Sequence, residues 1–154
     1  MAKLSVELVP KTAWYSNVRS NVSKSEWDKI RKKVYAEAGH VCEICGGVGK
    51  RHPVECHEVW EYDDKKHIQK LASMIALCPA CHSAKHLGRA KAVGIYHLAL
   101  QQLMKVNGWT HKEATDYAKK AFEEWRERSN HPWKLDLRGL NRYTMKKTGD
   151  KDGS

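Results

Sequence analysis

The chain has 154 residues, 28 Lys+Arg against 18 Asp+Glu for a formal charge of +10, and 41% hydrophobic residues. That is one compact domain, or one domain with a small appendage, with enough apolar content for a core, which excludes wholesale disorder. The charge is +4 over residues 1–40, zero over 41–88, +3 over 89–137 and +3 over 138–154, so a basic excess flanks a neutral middle and points to an acidic partner, nucleic acid first. The longest apolar runs, around Met74–Leu77 and Ala92–Ile95, are far too short to span a bilayer. No secretory h-region or small-residue cleavage site opens the chain, so a cytoplasmic, intracellular protein with reduced cysteines is expected.

Residues 1–23 read as an irregular or extended arm, with Pro10 and a Ser/Asn-rich stretch. Ser23 and Glu26 form a capping box, and Trp27, Ile30, Val34 and Ala38 follow at helical spacing, which predicts a helix over 24–38. Val54–Tyr62 reads as a strand and Asp63–Lys66 as a charged turn. His67–Leu77 is ambiguous, with a short helix before a strand at Ile75–Leu77 as one reading. Pro79 suits a first helical position, so a helix is expected from there to Leu87. Two further helices are expected over 90–106 and from the Thr110/Glu113 capping box to Arg128, the first weakened by Gly94. Residues 138–154 read as a flexible basic tail.

The chemistry concentrates in the middle of the chain. Cys42-x-x-Cys45 and Cys78-x-x-Cys81 offer two thiolates per tight knuckle, the donor set of a tetrahedral structural zinc, and Gly46 and Gly47 suit the first turn. The long spacer requires an inserted element between the knuckles. The fifth thiol, Cys56, reads as a small buried strand residue. His82 and His86 stand at i, i+4 directly after the second knuckle, so a helix stacks both rings on one side. With His57 on the inserted strand they offer three imidazoles to a second divalent ion, able to bind a phosphate oxygen.

The run Val54–Glu55–Cys56–His57–Glu58–Val59, set between Cys42-x-x-Cys45 and Leu77–Cys78-x-x-Cys81–His82-x-x-x-His86, resembles the HNH endonucleases over residues 30–90. The resemblance implies a ββα-metal finger stapled by zinc. It also implies metal-dependent hydrolysis of DNA, with His57, His82 and His86 holding Mg2+, Mn2+, Ni2+ or Zn2+. Aligned on Val59, Glu58 falls where the family has its general base, usually His. Ser73 falls where it has Asn. A one-residue shift would make His57 the base and Cys56 a ligand, which suits magnesium poorly and turns every strand side chain to the other face. Glu55 shares the face of His57 and is a candidate outer partner.

The expected protein is therefore α+β. It has the arm at 1–23, an HNH-like zinc domain at 24–90, a helical hairpin at 91–137 and the tail at 138–154. The expected activity is endonucleolytic, with a non-catalytic nucleic-acid- or protein-binding module derived from such a nuclease as the alternative. The expected partner is double-stranded DNA, held by Lys29, Lys32, Lys33, Lys85 and Arg89, with no membrane partner and a protein partner in a larger complex left open. Trp27 and Trp125 sit on apolar helical stripes and read as core. Trp14, Trp109 and Trp133 read as ties between arms and core.

Overall fold

The computed structural model describes residues 2–14 and 16–144. The helices are α1 (Val18–Asn21), α2 (Lys24–Glu37), α3 (Pro79–Lys85), α4 (Leu87–Ala92), α5 (Tyr96–Asn107) and α6 (His111–Arg128), and the strands are β1 (Glu55–Asp63), β2 (Ile68–Leu77) and β3 (Lys134–Asp136). The architecture is α+β, with a three-stranded sheet of order β1-β2-β3. No helix among the described residues is long and apolar enough to cross a membrane.

Both predicted capping boxes form: Ser23 accepts from the Glu26 N–H, and Thr110 accepts from the Glu113 N–H. Of the ambiguous 67–77 segment, Ile68–Leu77 is a single strand, paired antiparallel with β1 from Ile68↔Asp63 to Leu77↔Glu55. Its β-branched and aromatic cross-strand neighbours outweigh any local helical tendency. A bulge at Val59/Trp60 leaves Ala72 unopposed.

Strand alternation divides the interior into two cores. Met74 and Ala76 face Ile30 and Val34 of α2, together with Trp60, Leu71 and Val54. Ile75 and Leu77 face the opposite side, where Cys81, Ala84 and Leu87 meet Leu100 and Leu103 of α5 and Ala114 and Ala118 of α6. This second core draws on residues before and after the expected boundary at 90. Full burial of one such aliphatic side chain stabilises by about 1.5–3 kcal/mol.

Three expectations change. The helix predicted over 90–106 is two helices, because Gly94 at φ +83° breaks the chain between α4 and α5. The arm holds the short α1, capped reciprocally by Asn17 and Ser20, and is pinned along its length. Asn107 Oδ1 accepts from the Lys3 and Leu4 N–H groups, Tyr117 Oη accepts from Val6 N–H, and Glu7 N–H donates to the Lys85 carbonyl. The basic tail is anchored where it is described: Tyr143 is buried, its hydroxyl accepting from Met74 N–H at 2.7 Å. β3, unexpected from sequence, pairs parallel with β2 just before it. The remainder of the tail, 145–154, lies outside the described residues.

Candidate metal centres

The four knuckle sulfurs all lie within 4.8 Å of one another, with Cys45 Sγ and Cys78 Sγ 3.6 Å apart. A tetrahedron with Zn–S bonds of about 2.3 Å has edges of about 3.8 Å, so the spacing suits one zinc ion. The backbone builds this site locally. Gly46, at φ +77°, turns the first knuckle tightly enough for Gly46 N–H to reach the Cys42 carbonyl at 2.9 Å. N–H groups point at sulfur: Cys45 N–H at Cys42 Sγ (3.4 Å), Gly47 N–H at Cys45 Sγ (3.4 Å) and Cys81 N–H at Cys78 Sγ (3.5 Å). Glu43 ties the first knuckle to β2 by accepting the Ala76 N–H at 2.7 Å.

Burial opposes ionisation of Cys42, but N–H groups of Cys45, Cys78 and Ile44 more than offset it and bring the thiol to about 7. Burial raises the Cys78 and Cys81 thiols. A cation is the partner that lets all four be thiolates together. The cluster can hold a structural zinc.

The second group is His57 on β1, His82 on α3 and His86 at the end of α3. One ring nitrogen from each lies within 4.8 Å of the others. His82 Nε2 and His86 Nε2 are 3.1 Å apart, and the His57 ring packs edge-on to both. Glu55 Oε1 lies 2.7 Å from His82 Nδ1, which fixes the Nδ1–H tautomer and leaves the Nε2 lone pair facing His86. Glu55 is thus the outer partner its strand position suggested, and His52 meets its other oxygen at 2.8 Å.

Glu7 does the same for His57. Its Oε2 lies 3.0 Å from His57 Nε2 and its Oε1 accepts the Trp60 N–H at 3.3 Å. His57 Nδ1 is then a buried nitrogen without a hydrogen-bond partner among the described residues. Such an atom costs stability unless a ligand meets it. Burial lowers the pKa of His82, and burial followed by the charges of His82 and His57 lowers that of His86 to about 3. Neutral imidazoles are the form that binds a metal. Both the donor set and the orphaned nitrogen fit a divalent ion.

These histidines line a cleft of about 1190 Å³. Glu58 lines it too, but its side chain leaves β1 on the face opposite His57, and its Oε2 accepts the Val18 N–H at 2.7 Å. Burial, in the main, pushes its carboxyl up to about 7. Ser73 stands opposite Val59 beside the bulge and is not among the cleft-lining residues. Cys56 packs against the α2-side core, and burial pushes its thiol up to about 12.

Of the expected phosphate-binding cations, Arg89 is exposed and lines the cleft. Lys29, Lys32 and Lys33 lie on α2 outside it, Lys33 paired with Glu37 at 2.8 Å. Lys85 is not a surface cation: it is buried, with Nζ donating to Ser5 Oγ at 2.8 Å. Its place on the core side of the short α3 explains this. The sequence reading missed Glu7, 50 residues from His57, and the cleft cations Arg19, Lys91, Lys119 and Arg126. No local motif marks any of them.

The fold and site define an α+β protein with a four-cysteine group suited to zinc. No protein-family model, curated protein or solved structure matches the chain.

Proposed function

We propose that this protein is a metal-dependent DNA endonuclease with an HNH-like ββα-metal site. What carries the reading is the three-histidine group on a β-hairpin and the helix that follows it, at one wall of an open cleft, with two of its rings held by carboxylates. His57, His82 and His86 would hold a divalent ion, which would supply Lewis-acid stabilisation to the scissile phosphate. Glu55 and Glu7 orient His82 and His57. Glu58, at the expected base position, would have to release the Val18 N–H and turn toward the histidine side to take the proton of the attacking water, whose oxygen forms the new P–O bond as the ester bond to the leaving sugar oxygen breaks. Cys42, Cys45, Cys78 and Cys81 would hold a zinc ion that fixes the start of α3, and therefore His82, in place.

Incubation of plasmid and oligonucleotide DNA with the full chain and Mg2+, Mn2+, Ni2+ or Zn2+ tests this. Cleavage that His86→Ala and Glu58→Ala abolish is expected. Intact DNA under all four metals, with folded protein, overturns the proposal. That result favours the second reading, a nucleic-acid-binding module without hydrolysis. Its support is the engagement of Glu58 with Val18 and the position of Ser73 away from the cleft.

A further inference from the structure

The hydrolytic reading leaves one wall of the cleft unused. Trp14, just after the 3-10 turn at Lys11–Ala13, and Trp125 on α6 both donate their indole Nε1–H to the Val9 carbonyl, at 2.7 and 2.9 Å. Sharing one acceptor sets the rings 18° from parallel with centroids 6.4 Å apart. Trp14 is nevertheless 52% exposed. A tie between arm and core explains its N–H bond but not why so large an apolar ring is held open to water. A half-exposed ring fixed at one edge offers a stacking surface with much of its ordering cost already met.

The charge around this platform is complementary to phosphate. Arg19, Arg89, Lys91, Lys119 and Arg126 line the cleft, and Lys11 Nζ lies 5.2 Å from the Trp125 ring centre. The carboxylates that also line it are Glu7 and Glu58, and both are engaged, one with His57 and Trp60 and the other with Val18. Fixed aromatic faces beside a cationic groove are how proteins hold unpaired strands, since every base has a face to stack. In a duplex those faces are already stacked on one another. A cleft of about 1190 Å³ admits a few nucleotides and cannot enclose a double helix.

We propose that the cleft binds an unpaired DNA strand, one base stacking on Trp14 while the surrounding Arg and Lys side chains hold its phosphates. This rests on the nuclease reading for its choice of DNA, and it replaces the double-stranded partner expected from sequence. The strand then lies in the same cleft that His57, His82 and His86 line.

Fluorescence anisotropy without added divalent ion tests it, using a labelled single-stranded DNA, its duplex and an RNA of the same sequence against the full chain. The single strand is expected to bind at least about tenfold tighter than the duplex. Trp14→Ala should weaken single-strand binding by about 5- to 100-fold and leave duplex binding unchanged. Trp14→Phe keeps a stacking ring and should retain most of the affinity. Arg126→Ala, which leaves the platform intact, should flatten the salt dependence by about 0.7 in log–log slope.

Duplex binding as tight as single-strand binding overturns the proposal, as does wild-type affinity in both Trp14→Ala and Arg126→Ala. Tighter binding of RNA overturns the choice of DNA. Single-strand binding without cleavage under any metal sinks the nuclease reading and leaves this inference standing. Duplex cleavage with no single-strand preference does the reverse.

Discussion

The four cysteines come from two short turns whose own N–H groups point at their sulfurs, whereas the three histidines come from a strand and a short helix, and two of them, His57 and His82, lean on the carboxylates of Glu7 and Glu55. Three of the four cysteines are buried, and Gln102 Nε2 closes in on Cys81 Sγ at 3.3 Å. The histidines open onto a cleft. A site whose ligands are set by local backbone, packed into a core and made of four thiols, suits a structural ion. A site with three ring nitrogens, outer carboxylates and an open side suits a metal that exchanges ligands. On the proposed reading the thiols would hold an ion that supports the fold and the histidines one that does chemistry, and the two groups are joined through α3, which is capped by Cys78 and ends beside His86.

This contrast is sharpest under substitution. Cys81→Ser removes a thiol that is fully buried in the α5/α6-side core. It should cost bound zinc and a large share of the about 10–16 kcal/mol that a structural zinc can contribute, seen as a collapse of the thermal transition and of zinc content. His86→Ala should leave that transition within a few degrees of wild type yet remove the second divalent ion, measured by equilibrium dialysis. An equal loss of stability in the two variants would erase the distinction between the sites.

Between these extremes lie the outer partners. Glu7→Gln and Glu55→Gln should each weaken divalent binding at the histidines by about 10- to 100-fold while leaving zinc content unchanged. Unchanged affinity in both would mean that the carboxylates do not orient the rings. Tyr143→Phe should destabilise by about 1–3 kcal/mol in a urea melt, because Met74 N–H loses its buried acceptor, without effect on either metal.

The smallest effect concerns pH. A hydrogen bond from Arg128 lowers the Asp64 pKa. The stability from this pair is therefore complete above the unfolded value of about 3.9 and lost as pH falls through the lower folded value. With the Asp64 side chain 60% exposed, the contribution is at most about 0.5 kcal/mol. Comparison of Asp64→Asn with wild type across that range should show the difference vanish at the acid end.

Legibility in the sequence followed the range of the interactions. The cysteine knuckles, the i, i+4 histidines and the helix caps are local patterns, so Cys42, Cys81, His82, Ser23 and Thr110 stand where their neighbours imply. Glu55 was legible because strand alternation ties it to the face of His57. Glu7 was not, since its place depends on an arm held by Asn107 and Tyr117, more than 100 residues away. Lys85 looked like a surface cation because its charge is local information and its packing under the arm is not. β3 falls within the span expected as a helical hairpin and Tyr143 within the expected tail, because neither three strand residues nor one aromatic carries a period.

Metal content of the wild type and of His82→Ala, after equilibrium dialysis against zinc or cobalt, tests the central claim most directly. Two ions per wild-type chain are predicted, falling to one in the variant with the fold retained. One ion in both proteins, or the loss of both ions from the variant, would contradict the account.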